Sequence, residues 1–189
     1  MGTQGHNTQG NGRDERLTAI LGPIYKVSKE ETIGIVKEAL NKFMENDKIL
    51  LNIDANENAM SHKIAGYLDD EFENGDVDCE YNRQSKDSKN ISDICSEFDN
   101  VRPDIIVHKR VENFNHLVIE IKKDASEDNK KKDIRKLYWL KKKFNYKYAL
   151  FINFNTKKLN PECIWDFDTR FNDLLDINID DEYNMFKKN

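Results

Sequence analysis

The sequence predicts an α/β domain in which helices are layered on a central four-stranded mixed β-sheet. Three observations carry this. Two segments in the first half place apolar residues at helical spacing. Three short apolar or alternating runs follow in succession. A basic helix then separates the third run from a fourth, which calls for a crossover and a parallel pairing. The chain has 189 residues, enough for one domain with its own core.

Residues 1 to about 12 (MGTQGHNTQGNG) are Gly, Asn, Gln and Thr with almost no apolar content, and residues 13–24 are less distinct, with a turn at Gly22-Pro23. They read as a disordered tail or an expression remnant, and residues 25–189 as one domain. Ser28-Lys-Glu-Glu31 is a capping-box pattern, so a helix should follow to about Asn46, with Ile33, Val36, Leu40 and Phe43 on its apolar stripe. A second helix should start near Asp54 to Asn56, with Met60, Ile64, Leu68 and Phe72 as its stripe and Asn74-Gly75 as its stop. Asp76 to Arg83 alternates like a strand. Residues 84–100 are rich in Ser, Asp, Lys and Asn and read as a loop. Strands are expected over Pro103 to Lys109 and Leu117 to Lys122, with a turn at Asn113 to Asn115. Lys131 to Phe144 reads as a basic helix that packs through Ile134, Leu137, Tyr138 and Leu140, and Tyr146 to Phe154 as the fourth strand. Residues 160–189 form an acidic extension; Trp165, Phe167, Phe171, Leu174 and Leu175 give it apolar content for a strand or a helix.

Charged residues make up 34% and hydrophobic residues 38%, which fits a charge-rich globular protein because the apolar residues cluster periodically. There is no apolar run of about 18 residues to cross a membrane, and no secretory signal is visible. His6 stands where a myristoylation motif needs Ser or Thr. Cys79, Cys95 and Cys163 are odd in number and lack CxxC spacing, so reduced thiols in a cytoplasmic protein are expected and no zinc site. The net charge of −5 hides an asymmetry: Arg102 to Lys147 carries +7 and the remainder −12. An acidic total therefore does not exclude nucleic acid as partner.

The chemistry concentrates in two runs, Arg102-Pro-Asp104-Ile-Ile-Val107 and Leu117-Val-Ile-Glu120-Ile-Lys122. On a strand, Val118, Glu120 and Lys122 share a face, so a carboxylate and an ammonium sit together at the end of a buried element. Charges there need pairing or a metal. The triplet [DE]xK alone says little, because Asp87-Ser-Lys89 and Asp128-Asn-Lys130 repeat it in polar segments. Only Glu120-Ile-Lys122 ends an apolar run, and Pro103-Asp104 is the one PD dipeptide.

In this combination the chain resembles the PD-(D/E)xK nuclease superfamily, with its restriction-endonuclease-like α/β/α fold, and in particular small uncharacterised members. Glu57-Asn-Ala-Met-Ser-His62 on a helix, Val77-Asp-Cys-Glu-Tyr-Asn-Arg83 on a strand and Arg102-Pro-Asp-Ile-Ile-Val-His108 extend the resemblance over roughly residues 28 to 155. It implies that Asp104, Glu120 and Glu57 bind Mg²⁺, with Mn²⁺ substituting, and that Lys122 positions or activates the water. Hard oxygen ligands suit these ions, and the carbonyl of Ile121 is a further candidate ligand.

Around this core, Glu57 has a second reading as the N3 partner of an Asp54 cap. His62 is a candidate phosphate contact or a structural histidine. Glu80 sits on an alternating, exposed-looking face and could border the site. Arg83 and Arg102 are candidate phosphate contacts, as are Lys132, Arg135 and Lys136 on the basic helix. The expected activity is that of a metal-dependent phosphodiesterase, an endodeoxyribonuclease-like hydrolase in a defence, restriction or mobile-element setting, acting as a homodimer or within a larger defence complex. Two alternatives stand beside it: a nuclease-fold binding or structural subunit without cleavage, and a nuclease held inactive by the acidic segment 160–189 acting as a nucleic-acid mimic.

Overall fold

The computed structural model describes residues 24–72, 75–80, 83–84, 87–88, 98, 101–110, 114–158 and 160–175. After a single 3-10 turn, Ile24–Lys26, helix α1 spans Lys29–Asn46 and begins as expected. The Glu31 amide donates to Ser28 Oγ at 3.1 Å and the Ser28 amide donates to Glu31 Oε2 at 2.7 Å, which completes the capping box. A one-turn helix α2, Ile49–Asn52, follows, and then α3, Glu57–Glu71. The cap of α3 is Asn56, whose side chain accepts from the Ala59 amide at 2.9 Å. Asp54 instead takes a left-handed backbone, φ 55°. Glu57 is therefore the first helical residue, and the expectation of an Asp54 cap with Glu57 at N3 is corrected.

Strand β1 spans Asp76–Cys79, and Arg83–Gln84 (β2) and Asp87–Ser88 (β3) form a separate two-stranded ribbon. β4 spans Ile105–Lys109, β5 Phe114–Lys123, α4 Glu127–Phe144 and β6 Tyr148–Asn155. α4 starts four residues before the expected Lys131 because Ser126 caps it, accepting from the Asn129 amide at 3.3 Å. The chain then continues into β7, Asn160–Trp165, and α5, Thr169–Leu175.

The sheet runs β1-β4-β5-β6-β7, so it has five strands rather than the expected four. All pairings are antiparallel except β5 with β6, which α4 connects as a crossover. The fifth strand escapes pattern reading because NPECIW contains a proline and a charge and is only half-buried at its start. It joins β6 through the turn at Thr156–Lys158. Residues 160–175 are thus part of the body of the domain. Of the expected tail 1–24, Ile24 is described and is buried in the core, which corrects that boundary; residues 1–23, the acidic stretch 176–189, most of the loop 84–100 and Cys95 lie outside the described residues.

Two apolar layers cover the sheet. One holds Val36, Leu40 and Phe43 of α1 and Met60, Ile64 and Leu68 of α3 against Ile105, Val107, Ile119 and Ile121. The other holds Ile134, Leu137 and Leu140 of α4 and Phe171, Leu174 and Leu175 of α5 against Ile106, Val118, Ala149 and Phe151. This is an α/β architecture with helices on both faces of a mixed sheet. β5 lies at its centre and is buried continuously from Asn115 to Ile121, the mark of a strand covered on both faces. A register shift beside Val107 and His108 inserts an extra residue in β5, and His116 comes within 2.9 Å of Thr32 Oγ1 on α1. Cys79 and Cys163 are free thiols. No helix among the described residues is long and apolar enough to cross a membrane.

Candidate active site

The site begins where β4 gives out. β4 pairs with β5 only as far as Ile105 opposite Ile119, so among the described residues Glu120 to Lys123 run on without a strand neighbour on that edge. The edge would leave amides unpaired. Two carboxylates take the place of the missing strand. The Ile121 amide donates to Asp104 Oδ2 at 2.6 Å, and the Lys123 amide donates to Glu57 Oε1 at 3.1 Å. Asp104 comes from the residue before β4 and Glu57 from the first turn of α3. In a strand the N–H and C=O of one residue point the same way, so the Ile121 carbonyl faces this same edge.

The loop before α3 is tied to β5 from below. Lys123 Nζ donates to Asp54 Oδ1 and, at 2.9 Å, to the carbonyl of Ala55. On the other side, Asp124 turns the chain with φ 49° and accepts from Thr156, while Asn153 Oδ1 accepts from the Ala125 amide at 2.9 Å. These contacts set the start of α4, so one stripe of that helix faces the end of β5.

Glu120 and Lys122 project from β5 toward α4, as alternation predicts. Glu120 has no exposure at all, and neither carboxylate oxygen makes a hydrogen bond among the described residues. Lys136 Nζ lies 2.5 Å from its Oε2 without hydrogen-bond alignment. Lys122 Nζ reaches around the open edge and donates to Glu57 Oε2 at 2.9 Å. Asp133, one turn before Lys136, lies 4.0 Å from Lys122 Nζ and 3.9 Å from Lys136 Nζ. The result is an interleaved cluster of four carboxylates and two ammonium groups.

Burial is the leading influence on every acid here whose shift is resolved. It pushes Glu120 up to about 8, with Asp104 and Asp133 adding repulsion and Lys136 opposing. Burial also raises Asp104, against the Ile121 amide and the two lysines, and it raises Asp133. Burial disfavours the charge on Lys122 and Lys136, yet the surrounding carboxylates outweigh it and hold both above the ordinary lysine value. Every resolved shift in the cluster is upward: burial raises the acids, and the acids raise the lysines.

Among the described residues, no three His, Cys, Asp or Glu side chains are gathered so as to hold a metal ion by themselves. Mg²⁺ does not require such a cage, because it keeps several waters and takes one or two carboxylates. Glu120, paired with Lys136 at 2.5 Å, Asp104 and the Ile121 carbonyl are the hard-oxygen donors available here to such an ion.

A cavity of about 440 Å³ opens beside the cluster, and Lys122, Asp133 and Lys136 line it together with Asn129, Lys132 and Arg102. Asn129, Lys132, Asp133 and Lys136 are one helical stripe of α4. The expected Lys132 and Arg102 therefore border the site with exposed side chains, while Lys136 sits inside it. Arg135 is on α4 but does not line the cavity. Glu80 is exposed at the end of β1 with φ 48°; its amide donates to the Asp104 carbonyl at 3.1 Å and its carboxylate accepts from Asn58 at 2.7 Å. It neighbours Asp104 and α3 without joining the lysines. His62 is exposed on α3, and the side chain of Arg83 lies outside the described residues.

Sequence reasoning missed Asp133. A lone acid in KKKDIRK reads as a solvated residue, and its three-residue spacing to Lys136 was the available signal. In comparisons with known proteins, no family model, no curated protein and no solved structure matches this chain.

Proposed function

We propose that this protein is a Mg²⁺-dependent nuclease of the PD-(D/E)xK superfamily, with a restriction-endonuclease-like arrangement of its α/β domain. The observation that carries the reading is the overhanging end of β5. There the acid of PD, the glutamate of α3 and the ExK pair meet around one strand edge, and the fully buried Glu120 carboxylate is met only by Lys136 among the described residues.

Asp104, Glu120 and the Ile121 carbonyl would hold the ion. A bound divalent metal supplies Lewis acidity at the scissile phosphate and a water of lowered pKa. Lys122, kept charged by the carboxylates around it, orients the attacking water and offsets charge growing on the phosphate. Glu57 fixes Lys122 through the 2.9 Å ion pair while its other oxygen caps the Lys123 amide. Lys136 and Asp133 balance charge on the opposite wall. DNA is the expected substrate, in a cytoplasmic defence, restriction or mobile-element setting, with a homodimer as one route to two-strand cutting.

A second reading, a binding subunit without cleavage, draws on one observation. Lys122 and Lys136 are already matched by Glu57 and Glu120, so the cluster can be balanced without metal. Incubation with supercoiled, linear and single-stranded DNA and with RNA, in Mg²⁺, Mn²⁺ or EDTA, separates the two. Wild type should cut at least one substrate with metal, and Lys122→Ala and Asp104→Ala should each lose about 100-fold or more. No cutting by wild type under any condition favours the binding subunit; equal cutting by both variants rules out this site.

A further inference from the structure

Consecutive residues of a strand leave opposite faces, so Lys122 and Lys123 set out from the end of β5 in different directions. They converge on one short segment all the same. Lys122 Nζ donates to Glu57 Oε2 at 2.9 Å. Lys123 Nζ donates to Asp54 Oδ1 and, at 2.9 Å, to the carbonyl of Ala55. Between the two side chains, the Lys123 amide donates to Glu57 Oε1 at 3.1 Å. All of these bonds end within residues 54–57, the turn that leads into α3.

That turn has no apolar anchor of its own. Leu51 and Met60 are buried, but none of residues 52–59 between them is, and Ile53 is 63% exposed. The Ala55 amide donates to the Leu50 carbonyl at 2.9 Å, which closes the turn on itself without joining it to the sheet. Asn58 donates to Glu80 at 2.7 Å, and both are exposed. Asp54 takes φ 55°, a left-handed backbone that is uncommon for any residue but glycine. Lys123 joins this turn to β5. Its ion pair adds little stability, because the Asp54 side chain is 86% exposed. Its effect is on position. We propose that Lys123 is a positioning residue: its side chain holds residues 54–56 against the end of β5, so that Glu57 enters the site at the first turn of α3 and keeps Lys122 Nζ in place. The catalytic consequence rests on the nuclease reading; the placement of Glu57 does not.

The test is native-state hydrogen exchange of the full chain in EDTA, followed by cleavage kinetics in Mg²⁺. Lys123→Met keeps the apolar stem of the side chain and removes the ammonium. The amide at position 123 should lose about tenfold or more of its protection, measured against its own free-chain rate and approaching the loss in Glu57→Ala. The Ile121 amide, held by Asp104, should be unchanged. Lys123→Arg should restore the protection. In cleavage of an oligonucleotide, Lys123→Met should lower kcat about tenfold with KM within about twofold. In the Glu57→Ala background the same change should cost less than about twofold, because both substitutions act on one placement. If Lys123→Met fails to fold, Asp54→Asn is the second variant. It suits the left-handed backbone, leaves residue 123 intact, and should speed exchange at the Lys123 amide in the same direction. Unchanged protection at position 123, a loss spread along β5, or an undiminished effect on kcat in Glu57→Ala overturns the proposal. If wild type cuts nothing, the nuclease reading fails, and exchange alone still decides whether Lys123 places Glu57.

Discussion

Glu120 occupies a costly place for a carboxylate: the central strand, fully buried, with no hydrogen bond to either oxygen among the described residues and with Asp104 and Asp133 adding repulsion. The consequence for stability has a definite sign. The folded value stands near 8, above the ordinary 4.5, so between these pH values the folded state keeps a proton that the unfolded state has released. Stability therefore falls as pH rises through that window, and the raised Asp104 and Asp133 act in the same direction. In the metal-free protein, thermal melts should show Tm declining from about pH 6.5 to pH 8, above the range in which the buried His116, lowered to about 4, contributes with the opposite sign, by about 2–4 °C for each kcal/mol lost in a chain of this length. Glu120→Gln should flatten that decline; an equally steep one would remove Glu120 as its source. The residues also differ in how far the sequence exposed them. Glu120 and Lys122 were legible because period-2 alternation and an apolar run left one face for both. Asp133 was not, since an acid among lysines on a helix looks solvated until the packing angle of α4 is known. Lys136 was read as facing nucleic acid, whereas burial against Glu120 places it among the charges of the site.

At the scale of elements, the unequal lengths of β4 and β5 create the site. A ten-residue strand beside a five-residue one must leave an edge, and Asp104 and Glu57 cap it. Native-state hydrogen exchange tests this directly. The amides of Ile121 and Lys123 should be protected in wild type. Asp104→Ala should speed exchange at Ile121 by about tenfold or more while leaving Ile119, which lies opposite Ile105 in the ladder, unchanged. A loss spread evenly along β5 would mean that Asp104 supports the whole strand rather than its end. Most elements were visible beforehand because capping boxes and apolar periods are local. The start of α3 was legible only to the span Asp54 to Asn56 because both are good caps, and the left-handed turn at Asp54, with its tie to Lys123, selects Asn56.

At the scale of the molecule, the last described segment completes the domain. β7 pairs with β6 over six residue pairs, and Trp165, Phe171, Leu174 and Leu175 are buried. Burial of each such side chain contributes about 1.5–3 kcal/mol, so together they rival the whole stability of a typical domain. Deleting residues 160–189 should therefore abolish cooperative melting, contrary to the expectation of a removable acidic cover. If the deleted protein still melts cooperatively, β7 and α5 are accessory after all.

Metal-dependent cleavage bears most directly on the reading of the site. The measurement is the cleavage rate of an oligonucleotide as Mg²⁺ is titrated, for wild type and Lys122→Ala, with metal binding followed by calorimetry on the same samples. Wild type should show a rate that rises with Mg²⁺ and vanishes in EDTA. Lys122→Ala should still bind metal while cutting at least about 100-fold more slowly. A rate indifferent to EDTA, or a Lys122→Ala protein as fast as wild type, would contradict a nuclease centred on the end of β5.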